Sequence, residues 1–317
     1  MNKLRFALHA LVVCAFALAL AHAAHAAPRT YVSPGGSDAA NCSTVTTPCL
    51  TLQAAHGKTD GGGEIIVLAS GTYAGVLINR AISIIGAPGV HAEISVAGAA
   101  NAVTIEAPAT AVVVLRNLYL TGAGGTNKGV NFKTGKALHV ENCVVNGFAQ
   151  GIRIVGSVGA LVYVKDTTVR NSTEGFIIEP TGSDFEKPTT ALIEHCRFEN
   201  YFKGVIAAGR YTTLTIRDST FVGRSKDNTV TYGGILASPD SSGTTRIMIE
   251  NCLVSNNYLA IGTTTDGVAF ISISQNVIYH NQLGVFTCCL SKMITFGNNR
   301  FEDNNDDGNF NLSTPLK

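Results

Sequence analysis

One stretch, HVENCVVNGFAQGIRIVG at 139–156, keeps returning along this chain, and that repetition limits the possible folds more than any other feature. MIENCLVSNNYLAIG at 248–262 repeats it closely. The stretches at 163–178, 192–207 and 272–287 repeat it loosely. Each unit opens on an apolar residue: Leu115, Val140, Val164, Ile193, Ile216, Ile249, Ile273 and Phe296, in steps of 25, 24, 29, 23, 33, 24 and 23 residues. Inside most units the spacing is fixed. Val140 to Ile152, Val164 to Phe176, Ile193 to Val205, Ile249 to Ile261 and Ile273 to Val285 are each 12 residues. Ile216 to Ile235 is 19, so that unit carries an insertion. A fixed inner spacing with a variable outer one describes a rigid strand pair and one elastic loop per turn.

The units are rich in Val, Ile, Thr and Gly and alternate at the strand period. They are too short for a helical crossover. No unit can bury its apolar face alone, so the units stack as a solenoid with ~4.8 Å between coils. Two columns fix the register. The residue after each opener runs Arg116, Glu141, Lys165, Glu194, Arg217, Glu250, alternating in sign, as stacked outward charges require. The next runs Asn117, Asn142, Asp166, His195, Asp218, Asn251, a polar ladder at a tight bend. The position after that holds Cys143, Cys196 and Cys252, two coils apart at roughly 9.6 Å, too far for disulfides and suited to buried thiols.

Residues 1–26 read as a secretory signal peptide: a positive MNKLR, an apolar run and A-x-A sites. The expected product is secreted or periplasmic, and no later segment is long and apolar enough to span a membrane. Cys42 and Cys49 flank a short loop in this exported chain and are expected to pair. Charged residues are only 14% of the chain and the formal charge is +1, so nothing argues for nucleic acid as a partner. Trp is absent.

The segment YVSPGGSDAANCSTVTTPCLTLQAAHG, followed by EIIVLASGTYAGVLINRAISIIG, resembles the opening of secreted parallel β-helix proteins of the pectin lyase-like superfamily. The polar ladder resembles the asparagine ladder of pectate lyases. The resemblance implies an all-β chain with one right-handed parallel β-helix, and a short capping helix at Leu52–His56. The expected layout is an opening and cap at 27–63, the β-helix at 64–302 and a polar tail at 303–317.

In that superfamily the substrate usually lies along one strand face, which here is the strand after the repeated Gly. Its expected outward column is Asn131, Arg153, Ile177, Ile206, Leu236, Gly262 and Phe286, largely an apolar stripe. Either the connections at 181–190 and 238–245 cover it, or it docks a glycan, a protein or a second copy. The motif sets of pectate lyases, polygalacturonases and pectin methylesterases are missing. The leading expectation is therefore a non-catalytic protein that binds polysaccharide or a cell-surface partner. The alternative is a polysaccharide lyase or glycoside hydrolase for uronic-acid glycans, built on Glu179, Asp184 and Glu186 near Arg153. Asp166, His195 and Asp218 are an ordinary ladder or an acid–base triplet. No cofactor motif is legible. Asp303, Asp306 and Asp307 are the candidates for Ca²⁺, set against a solvated last coil.

Overall fold

The computed structural model describes residues 27–156, 159–180, 187–225, 233–240, 243–264 and 267–313. The segment read as a signal peptide lies outside the described residues. Strands dominate, and every named strand pairing is parallel. They form three sheets of twelve, ten and ten strands, and each complete coil gives one strand to each sheet. The coil opened by Ala137–Glu141 in the first sheet continues as Val144–Asn146 in the second and Gln150–Val155 in the third. The chain is a single right-handed parallel β-helix.

The outward charges stack as the alternation requires. Arg116, Glu141, Lys165, Glu194, Arg217 and Glu250 occupy one register. Arg116 pairs with Glu141 at 2.7 Å, and Glu194 with Arg217 at 2.8 Å and Lys165 at 3.8 Å. The corner that follows is left-handed at each member: φ is 56° at Asn117, 50° at Asn142 and Asp166, 51° at His195, 52° at Asp218 and 50° at Asn251. Asn and Asp tolerate that region better than other residues with a β-carbon. Their amides also link coils: Asn142 Nδ2 donates to Asn117 Oδ1 at 2.8 Å, and Asn251 Nδ2 to Asp218 Oδ1 at 2.6 Å.

The repeated glycine has a different role from marking a bend. Gly129, Gly151, Gly175 and Gly204 open third-sheet strands, and none has a positive φ. A β-carbon on any of them would sit 2.5 Å from the carbonyl oxygen of the next coil. The glycines are there because coil meets coil too closely for a side chain.

Inward columns make the core. Val130, Ile152, Phe176, Val205, Ile235, Ile261 and Val285 align and are fully buried. Phe198 and Phe221 stack with centroids 4.9 Å apart. Cys143, Cys196 and Cys252 point inward, and Thr167 and Ser219 alternate with them. Each hydroxyl accepts from the backbone N–H of the preceding cysteine, at 3.3 and 3.0 Å.

The first coil is capped as expected. Cys42 and Cys49 form a disulfide. The helix Leu52–Lys58 starts at Thr51, whose Oγ1 accepts from Ala54 N at 3.1 Å, and it buries Leu52 and Ala55. At the other end the strand pattern runs past residue 302. Asp306–Gly308 joins the third sheet and Leu312–Ser313 the first, so part of the stretch read as a polar tail is in register.

Candidate binding face

The outer face of the third sheet carries Asn131, Arg153, Ile177, Ile206, Leu236, Gly262 and Phe286 in one unbroken register. It divides into two halves.

The N-terminal half is polar. Lys133 Nζ pairs with Glu106 at 2.7 Å. Arg153 Nε donates to Glu179 Oε1 at 2.7 Å, and its Nη2 reaches the same oxygen. Gln150 Nε2 donates to Glu174 Oε2 at 2.8 Å, and Lys203 lies 3.5 Å from the other Glu174 oxygen. Burial lowers the pKa of the Lys128 ammonium, helped by the neighbouring Arg153 and Lys133 cations. Asn131 is 4% exposed, and its Oδ1 lacks a hydrogen-bond partner among the described residues. Buried amide oxygens rarely go unbonded.

The C-terminal half is apolar, and of the two alternatives for its stripe, most of the described residues are covered. Ile177 and Leu236 are 3% exposed and Ile206 8%, whereas Phe286 is 45% exposed. The stripe keeps its register and is buried, which leaves Phe286 as its one exposed member among the described residues. Among the described residues this face has no continuous exposed apolar surface. Of the connections expected to cover it, 181–186 and 241–242 lie outside the described residues. Beside Phe286 a cavity of about 600 Å³ opens, lined by Lys203, Ile206, Leu236, Tyr258, Phe286 and Cys288 among others.

Of the residues proposed for chemistry, Glu179 and Arg153 come together as the ion pair above. Asp184 and Glu186 lie outside the described residues. The Asp166–His195–Asp218 run stays in the surface corner, away from this face. His195 Nδ1 is 3.9 Å from Asp166 and 3.4 Å from Glu194, and Nε2 is 3.8 Å from Asp218. The three acidic residues near the end have separate partners. Asp303 Oδ2 lies 2.7 Å from His280 Nδ1, Asp306 Oδ1 accepts from Gly308 N, and Asp307 Oδ1 accepts from Asn304 Nδ2.

A second corner ladder went unread in the sequence. Asn171, Asn200, Asn256, His280 and Asp303 are all left-handed, with φ of 52–57°. Asn171, Asn200 and Asn256 stand five residues after Asp166, His195 and Asn251 of the first ladder, and that offset is the signal that would have found them. Inside the last coils, buried amides take over from Cys, Ser and Thr. Cys252 N and Asn276 N donate to the Oδ1 of Asn276 and Asn299, at 2.9 and 3.0 Å.

Three parallel sheets wound around one core, with a corner ladder and an N-terminal cap, define a parallel β-helix protein of the pectin lyase-like fold. The chain belongs to the NosD family, described as periplasmic copper-binding protein, whose profile matches residues 101–313, about two-thirds of its length. No helix among the described residues is long and apolar enough to cross a membrane. Tailspike protein 2 of an Escherichia coli O157:H7 bacteriophage superposes with a TM-score of 0.56 at 12% identity, over 86% of this chain and 41% of the tailspike. The enzymatically active domain of a bacteriophage tailspike protein 2 gives 0.54 at 12% identity, over 78% of this chain and 43% of that one. A rhamnogalacturonan lyase gives 0.48 at 14% identity, over 91% and 89%. This chain thus spans less than half the length of the tailspike structures it matches, and at such identities the likeness concerns the fold alone. No curated protein matches the chain.

The family's copper can be tested against the side chains present. Copper sites gather imidazole, thiolate or thioether donors at one point. Among the described residues no three His, Cys, Asp or Glu side chains converge for a metal. Met293 is buried in the core and Met248 lies exposed on the first sheet. The described donors do not fit a copper centre, and no step below involves one.

Proposed function

We propose that this protein is a periplasmic binding protein that holds a polysaccharide, or the glycan of a cell-surface partner, along the outer face of the third sheet. The observation that carries this reading is the cavity of about 600 Å³ lined by Tyr258, Phe286 and Lys203, next to a polar half of the same sheet. Sugars present apolar C–H faces and hydroxyl rims together. Aromatic rings suit the faces, and the Arg153–Glu179 and Lys203–Glu174 pairs offer donors and acceptors to the rims. The unbonded Asn131 Oδ1 is an acceptor at the head of that polar half. A second reading, cleavage of the bound glycan, rests on Glu179 standing on this face. A carboxylate pair for hydrolysis needs a partner within ~5–10 Å, and Glu179 is instead held by Arg153.

The test is affinity electrophoresis of the mature protein in gels containing uronic-acid or neutral polysaccharides, with and without Ca²⁺, and mass spectrometry of the polymers afterwards. The expected result is retardation by at least one polymer, weakened ~10-fold or more by Phe286→Ala, with no new products. Oligosaccharide products that vanish in Glu179→Gln would establish cleavage instead. Unretarded migration through the whole panel would overturn the binding reading.

A further inference from the structure

Five of the seven cysteines beyond residue 26 have structural roles. Cys42 and Cys49 are joined. Cys143, Cys196 and Cys252 are buried, and burial pushes their thiols up to about 12, so they neither meet solvent nor ionise. The other two are adjacent and accessible: Cys288 is half-buried and Cys289 exposed.

Their setting is specific. Ser291 N donates to Cys288 O at 3.2 Å, which closes a turn with Cys289 at φ 62°, in the left-handed region. Leu290 on that turn is 72% exposed. Thr263 Oγ1 accepts from Cys288 N at 2.9 Å and donates to Cys288 Sγ at 3.6 Å, so it pins this residue at the rim of the third-sheet cavity.

We propose that Cys288 and Cys289 are a redox-responsive dithiol that closes to a vicinal disulfide and thereby resets the rim of that cavity. The family is periplasmic, and that compartment is oxidising. Adjacent Cα atoms lie ~3.8 Å apart, closer than the ~4.4–6.8 Å usual for disulfides. The bond is therefore strained, and strained or exposed disulfides are the reducible, regulatory ones. The oxidant is an external disulfide, RSSR. The Cys289 thiolate attacks one of its sulfurs, the S–S bond breaks, and RS⁻ leaves. The Cys288 thiolate then attacks the Cys289 sulfur and expels the second RS⁻. Two electrons pass to RSSR, which becomes two RSH with the two thiol protons. None of this depends on what the cavity binds.

The mature protein would be treated with glutathione disulfide, then with dithiothreitol, and alkylated without unfolding before intact-mass and peptide analysis. The expected oxidised form is a monomer two hydrogens lighter, in which neither Cys288 nor Cys289 takes the alkylating agent. Mild reduction should restore both sites and leave Cys42–Cys49 closed. Cys288→Ser should instead trap a glutathione adduct on Cys289. In hydrogen exchange, oxidation should change protection at 283–291 and leave 139–156 unchanged. Two thiols still alkylatable after oxidation, a persistent glutathione adduct on the unsubstituted protein, or disulfide-linked dimers would each overturn the dithiol. Unchanged exchange at 283–291 would overturn its effect on the rim.

Discussion

Reversing one charge in the outward ladder should destabilise the β-helix by an amount set by its neighbours in the coils above and below. Glu194 is the sharpest case. Its side chain is 14% exposed, and it has Arg217 at 2.8 Å on one side and Lys165 at 3.8 Å on the other. The hydrogen bond from Arg217 holds its carboxyl below the usual carboxylate range. Exposed ion pairs are worth ~0.2–1 kcal/mol each. Glu194→Gln removes two attractions and should cost about 0.4–2 kcal/mol. Glu194→Lys turns both into repulsions and should cost roughly 0.8–4 kcal/mol on the same scale. The assay is equilibrium urea unfolding of residues 27–317 and both variants at low ionic strength, repeated at high salt. Screening should shrink the gap between Lys and Gln, because the Debye length falls to a few Å near 1 M. Acid should also erase the advantage of Glu194. A carboxylate with a depressed folded pKa contributes stability that is full above its unfolded pKa and lost as pH falls through the folded one. If Glu194→Lys is no more destabilising than Glu194→Gln at low salt, the charges do not stack, and the register argument fails with them.

Three further outcomes follow from the packing. Gly175→Ala places a β-carbon 2.5 Å from Gly204 O and should cost ~1–3 kcal/mol. Gly35→Ala, which meets nothing within 4 Å, should be near neutral in the same urea titration. Phe198→Ala opens a void against Phe221 and should cost ~3–5 kcal/mol; a loss below 1 kcal/mol would mean the coil collapses around it. His56 is 2% exposed, and burial together with Arg80 lowers its pKa to about 4. The unfolded chain then binds the extra proton between about pH 6.5 and 4, so cap stability is full above that window and falls by up to roughly 3 kcal/mol across it. Thermal unfolding against pH should show this fall, and His56→Gln should flatten it.

What was legible came from periodicity. In a solenoid each coil meets only its neighbours at a fixed spacing. A column of Arg116, Glu141, Lys165, Glu194, Arg217 and Glu250 in the sequence is therefore a column in space. The same logic placed the first corner ladder, the inward cysteines and the outward face of the third sheet. The second ladder obeys the same rule at an offset of five, and its signal was in the sequence.

What periodicity could not reach were features set between coils or by the loops. The glycine column is visible in the sequence, but its reason is not. Only the 2.5 Å approach of the next coil's carbonyl shows that it marks a close contact. The Arg153–Glu179 pair joins side chains 26 residues apart, diagonally across strands, and no single repeat position predicts it. The burial of Ile177, Ile206 and Leu236 beside an exposed Phe286 follows from no repeat position, because all four share one register. The sequence by itself determined the coil, its register and its corners, because these are local and repeat. Only the tertiary structure decided which part of the face is open, because exposure depends on residues far apart in the chain and not on the repeat.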